Sequence, residues 1–361
     1  MNFLLAQLLF AANCASPACR PPLPQSLRAK PVVVAERRAP DPAVVLAFAG
    51  PTIPVSAMPS SLDWYEQRFR MYADSQWSAF GPKWDAGNSI AGYERAATYY
   101  VWWARTGDTA YLSRAHQTML NYIDNYLLPA GYAASPHWSQ MESLYLDCQI
   151  TKEPKSCAAV PAIASRLAAF PPSAYFAASE GEARIEARVI LALWIAEKLS
   201  GKKNPLLDTA INRALGSMNS SGFTPFTATC GGSLNYMNGM LYDVLTRIHD
   251  QRPGSYNAAI EKNAIAYGNY LWSTEWRSPD QSFNYMSVEC SLQGSPTSAP
   301  DLNGLMLPMF GWLGKRTGDQ AWFTKGDQIL SGMRGASVYL YRQFSESYSS
   351  SFRYLGYRYG K

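Results

Sequence analysis

The stretches YYVWWARTGDTAYLSRAHQTMLNYI (residues 99–123) and MFGWLGKRTGDQAWFTKGDQILSGM (residues 309–333) share one design. Each runs an apolar, aromatic segment into Arg-Thr-Gly-Asp and then into a second segment whose apolar residues recur at helical spacing. Turn chemistry explains the repetition. Gly adopts the left-handed conformation that ends one helix, and Asp accepts hydrogen bonds from the exposed amides that begin the next. Two looser versions are AEKLSGKKNPLLDTAINRAL, turning at Gly201, and LTRIHDQRPGSYNAAIEKNA, turning at Gly254.

Gly201, Gly254 and Gly318 recur at intervals of about 50 to 65 residues, and the longer gap from Gly107 to Gly201 has room for one more hairpin, in PHWSQMESLYLDCQIT and CAAVPAIASRLAAF. An opening helix in SSLDWYEQRFRMYADSQW, with Ser as its cap, precedes them. The pattern predicts five helical hairpins plus that helix, eleven or twelve helices, with no β-rich run of comparable length. This series resembles the (α/α)6 toroid of six-hairpin glycoside hydrolases and polysaccharide lyases, complete or short of one hairpin. The likeness spans residues 60–345. Arg-Thr-Gly-Asp reports a turn, so the resemblance implies an all-α fold first and carbohydrate chemistry second.

The rest of the composition suits a large globular core. In 361 residues, 47% are hydrophobic, 13% aromatic and only 16% charged, which excludes a disordered chain. The net charge of +5 is dispersed, without the basic runs of a nucleic-acid footprint, and it favours acidic glycans slightly. FRYLGYRYGK (residues 352–361) mixes base and aromatic and reads as a Tyr-rich edge strand or docked tail, within a C-terminal tail of residues 346–361.

Residues 1–19, MNFLLAQLLFAANCASPAC, read as an apolar leader, although no Lys or Arg precedes the apolar run and Asn13 before Cys14 is wrong for a lipoprotein signal. Residues 20–59 are rich in Pro, Ala and Val and read as an extended arm or linker, a tether to an envelope or an assembly. The folded domain then starts near Ser60. No segment is long and apolar enough to span a bilayer. Cys148, Cys157, Cys230 and Cys290 form an even set that suits an oxidising compartment, with Cys148–Cys157 closing a short loop and Cys230–Cys290 as the complementary pair. A secreted, periplasmic or envelope location follows as an expectation. His116, His137 and His249 are scattered and no CxxC or HExxH occurs, so neither a metal nor another cofactor is expected.

In toroids of this kind the resemblance implies an inner ring of first helices and a cleft where those helices begin. The corresponding starts here are KWDAGNSIAGYE, SPHWSQMES, SEGEARIEARV, GGSLNYMNGM and SAPDLNGLM. All are polar. Trp84 and Trp138 would offer rings for sugar stacking, and Asn88, Asn235 and Asn238 amides for hydroxyls, while Tyr99, Tyr100, Trp102 and Trp103 would pack between the rings. Hydrolysis of a glycoside needs two carboxyl groups, one protonated and one ionised. Asp85 and Glu182 are the first pair, because glycines adjoin them and permit close approach; Glu142 and Asp301 are in reserve. Each of the four also fits a helix cap, and Glu182, Arg184, Glu186 and Arg188 also fit an ion-pair ladder.

A lyase would instead need a base beside a uronate carboxylate, for which His137 or Tyr236 would serve with Asn235 and Asn238. The loop SFNYMSVECSLQGSPTSAP (residues 282–300) carries Tyr285 and Glu289 and would close over the cleft or cover the core. GxSxG, the P-loop, GxGxxG and the acidic motifs of terpenoid cyclases are absent. The expected function is a glycoside hydrolase acting on a polysaccharide or oligosaccharide, followed by a uronate-specific lyase and by a silent toroid that binds glycan or protein.

Overall fold

A computed structural model describes residues 40–84, 93–169, 183–226, 231–290, 294–336 and 341–360. The leader lies outside the described residues. The pattern of hairpins is present as predicted from the turns: α3 (Arg95–Thr106) with α4 (Thr109–Tyr122), α5 (Met141–Thr151) with α6 (Pro154–Ala169), α7 (Ala183–Ser200) with α8 (Pro205–Gly216), α9 (Asn235–Gln251) with α10 (Asn257–Tyr270), and α11 (Asn303–Thr317) with α12 (Gln320–Gly335). The first helix of each pair is buried nearly all round and the second on one stripe, which makes an inner and an outer ring. The fold is an α/α toroid.

The repeated turn behaves as its chemistry requires. Gly107 and Gly318 have φ of 76° and 72°, and Asp108 and Asp319 each accept from the amide two residues on at 2.9 Å. Gly201 also has positive φ, with Asn204 in the capping role. Gly254 does not: it is needed because a Cβ there would lie 2.5 Å from the Tyr256 ring.

Both ends of the chain depart from the sequence reading. Residues 42–49 of the expected arm form a buried helix, α1 (Pro42–Ala49), capped by Asp41 and packed on α3 and α5. The signals were local: Asp-Pro starts a helix, and Gly50 ends its apolar run. The opening helix, α2 (Asp63–Phe80), follows a 3-10 turn and has no Ser side-chain cap. The stretch from 346 read as a tail belongs to α13 (Arg342–Tyr348) and α14 (Ser351–Tyr359), which are buried against α11. Outer helix α2 packs on α13 through Tyr65, Phe69 and Tyr348, with ring centres 5.1 and 5.2 Å apart, and Phe69 stacks on Trp102 of α3 at 3.7 Å. The sixth wedge of the ring is therefore built from the two ends of the chain.

At the hub six charges balance. Glu142 pairs with Arg247 and Arg353, Arg353 with Asp243 at 2.9 Å, and Arg188 with Glu94 at 3.0 Å, around a cavity of about 50 Å³. Two carbonyls of α1 complete the set, Phe48 O accepting from Arg247 at 3.1 Å and Ala49 O from Arg353 at 2.6 Å. Buried charges are tolerated only when paired and hydrogen-bonded, and here each guanidinium has a carboxylate and at least one backbone carbonyl as acceptors.

Candidate active site

The inner helices bring their N-terminal ends to one mouth. Tyr93 stands before α3, His137 and Trp138 before α5, Arg184 in the first turn of α7, Tyr236 in that of α9, Asp301 before α11, and Arg342 and Glu346 on α13. Their charges act on one another: Arg184, Arg342 and Glu346 on Tyr93, and Arg342, Asp301 and Arg184 on Glu346. Arg342 and Glu346 form an ion pair at 3.3 Å, one half-exposed and the other buried. Burial dominates over that pairing and pushes the Glu346 carboxyl up to about 8, so it carries a proton at neutral pH. Asp301 is also raised by burial, but its own amide, that of Leu302 and Arg342 favour its ionised form.

The backbone that holds these groups is specialised. Tyr93 and Glu94 have φ of 62° and 66°, and Tyr341, just before α13, has 58°, a region that costs non-Gly residues energy and clusters at functional sites. The Glu94 carboxylate fixes its own bend by accepting from the amides of Glu142 and Ser143 at 3.2 and 3.0 Å and from Arg188. Gly304 lets α13 reach α11, since a Cβ there would sit 2.7 Å from the Glu346 carbonyl. The loop from Ser282 is braced by β1 (Trp276–Arg277) pairing with β2 (Ser282–Phe283) and by Tyr285 N donating to Thr297 O at 2.7 Å, and it is tied to the start of α9 by Asn235 N donating to Tyr285 O at 3.3 Å and Ser287 N to Ser233 O at 2.9 Å. It thereby sets the Tyr285 ring 5.3 Å from that of Tyr236, hydroxyls 3.5 Å apart.

The sequence candidates fall into three groups. At the mouth are His137, Trp138, Tyr236, Tyr285 and Asp301. Arg184 Nη2 donates to His137 Nδ1 at 3.0 Å and its guanidinium lies 5.0 Å from the Trp138 ring. Burial raises the Tyr236 hydroxyl well above its usual value.

Engaged elsewhere are Trp84, Glu142, Asn235 and Asn238. Trp84 packs on Tyr122 and Tyr126 of the outer ring, 4.6 and 4.2 Å away, rather than facing the mouth. Glu142 is held in the hub, where Arg247 and Arg353 outweigh burial and lower its pKa. Asn235 donates to the Asn284 carbonyl at 2.8 Å, and Asn238 exchanges bonds with Thr224 at 2.9 and 3.3 Å, so both amides fasten loops. Glu289 is exposed on its loop. The third group, Asp85, Asn88 and Glu182, lies outside the described residues.

The ion-pair ladder on α7 does not form among the described residues: Arg184 turns to His137, Glu186 binds Arg213 on the outer ring at 2.7 Å, and Arg188 binds Glu94. Tyr93, Arg342 and Glu346 escaped the sequence reading. Glu346 sits in QFSESYSS, a serine-rich run whose Phe344 and Tyr348 are its few apolar residues, and its burial comes from the closing of the ring.

A ring of inner helices whose starts converge on one polar, aromatic mouth defines an α/α toroid. One solved structure with this fold, titled glycosyl hydrolase family 88 from Bacteroides vulgatus, superposes with a TM-score of 0.62 over 82% of this chain and 99% of its own, at 10% identity. No protein-family model and no curated protein matches the sequence.

Proposed function

We propose that the mouth is the active site of a glycoside hydrolase, with Glu346 as the proton donor. The observation that carries this reading is a carboxyl that is protonated at neutral pH, set beside a second carboxyl, Asp301, among tyrosines and two arginines. Glu346 would protonate the glycosidic oxygen as the bond to the anomeric carbon breaks, and an ionised carboxylate would activate water or form the glycosyl intermediate. Asp301, Asp85 and Glu182 are the candidates for that second role. Trp138, Tyr236 and Tyr285 offer apolar faces to a sugar ring, and Arg184 and Arg342 favour a substrate with an acidic group. The toroid neighbour titled a glycosyl hydrolase supports the same class.

Elimination is disfavoured by the state of its bases. The Tyr236 hydroxyl is far from ionising, and His137 Nδ1 is taken by an arginine. The Cys148–Cys157 disulfide and the apolar leader support secretion or an envelope location, where a polysaccharide or oligosaccharide would be met.

The test is an assay of the full chain on neutral and uronate-containing glycans, reading reducing ends and the ultraviolet absorbance of unsaturated products together. Glu346→Gln should abolish release of reducing ends with the helical dichroism intact, and Asp301→Asn, Asp85→Asn and Glu182→Gln identify the partner. Normal turnover in Glu346→Gln would remove it as the acid. Absorbance would transfer the case to a lyase, and glycan affinity without turnover to a binding toroid.

A further inference from the structure

At the end of the ring opposite the mouth, a pocket of about 580 Å³ opens between two neighbouring hairpin turns, those joining α7 to α8 and α9 to α10. It is more than ten times larger than the hub cavity. Its charged lining consists of Glu197, Lys198, Lys203, Asp208 and Arg252. Arg252 crosses from one turn to the other and occupies the acids: it donates to Glu197 at 2.6 and 3.2 Å, to Asp208 at 2.5 Å and to the Tyr256 hydroxyl at 2.6 Å. Glu197 also accepts from the Asn204 amide at 2.8 Å, and Asp208 has Lys203 at 3.6 Å.

With both carboxylates satisfied, one charge is left over. Lys198, exposed on the last turn of α7, has no carboxylate at ion-pair distance among the described residues; its ammonium instead lies 5.0 Å from the centre of the Trp194 ring on the pocket wall. The indole face covers one side of the ammonium, and both residues line the pocket. Two helices end and two begin around the space, so their dipoles offset and leave the lysine to set its sign. Burial and the charge of Arg247 behind Trp194 lower the Lys198 pKa, the behaviour of a cation short of counter-charge.

We infer that this far-end pocket is a second ligand site, which takes a small oxyanion, a phosphate or the carboxylate of a sugar acid, on Lys198. Arg184 and Lys198 stand fourteen residues apart on α7, about 21 Å along the helix, so the site is separate from the mouth. It is independent of the hydrolase reading.

Thermal unfolding of the full chain tests the assignment, with inorganic phosphate and glucuronate as separate probes and sodium chloride holding the ionic strength. Either probe should raise Tm saturably, by about 4 °C at a hundredfold excess over Kd. Phosphate alone identifies a phosphate-bearing ligand, and glucuronate alone a sugar acid. The shift should be lost in Lys198→Met, kept in Lys198→Arg, and kept in Arg184→Gln, which removes an anion-binding group of the mouth and so separates the two sites. If Lys198→Met does not fold, Lys198→Gln gives the same reading. An unchanged shift in the folded neutral variant, or no saturable shift with either probe in the parent chain, overturns the proposal.

Discussion

Glu346 couples the chemistry of the mouth to the stability of the fold. Its folded value of about 8 lies above the usual 4.5, so the folded state binds the proton more tightly than the unfolded chain. That contribution is complete below the unfolded value and is lost as pH rises through about 8. Stability should therefore decline by up to about 1.4 kcal/mol per pH unit between those limits, and Glu346→Gln should flatten the decline in urea titrations at pH 5, 7 and 9. Turnover of the parent chain should hold across that range and fall only as pH rises past about 8, because a general acid must be protonated and the folded carboxyl keeps its proton until then, and Glu346→Gln should lower kcat by about 10² to 10⁴.

Glu142 predicts the opposite pattern. Glu142→Gln leaves Arg247 and Arg353 under-compensated and should cost about 3 to 5 kcal/mol in urea unfolding. These fates were not separable in the sequence. Both are glutamates in polar stretches, and what distinguishes them is an arginine pair 105 and 211 residues away in one case and a poorly compensated burial in the other.

At the scale of the element, the turns were legible because their chemistry is local. Asp319→Ala should cost about 1 kcal/mol through the lost cap, and Gly318→Ala about 1 kcal/mol through strain at φ 72°, each lowering the urea midpoint with an unchanged slope. Gly304→Ala should cost more than either and also impair turnover, since its Cβ would press on the backbone that carries Glu346. Helix α1 was hidden in a proline-rich context, although Asp41, Pro42 and Gly50 bracket it correctly. Helices α13 and α14 were hidden for a different reason: Ser, Tyr and Arg dominate them, and they are held by aromatic rings and by the ion pairs of Arg353 more than by an aliphatic stripe.

Across the whole molecule, the number of hairpins and the all-α class followed from periodicity, whereas the closure of the ring depends on which distant segments meet. A chain begun at Ser60 lacks α1 and so deprives Arg247 and Arg353 of the Phe48 and Ala49 carbonyls. It should unfold at markedly lower urea than the full chain. A chain ended at Tyr341 removes an inner wedge and should lose its cooperative transition in calorimetry, because α11 would expose the face that α14 covers.

The wedge made from both ends also governs how the protein is born. Helices α2 and α13 meet across nearly the whole length of the polypeptide, so a ribosome delivers five hairpins before the partner of the first helix has been synthesised. Until then Phe69 and Tyr65 can meet Trp102, but the ring faces that Tyr348 covers stay open as a sticky surface. The ring closes only when the last of its six wedges has been released.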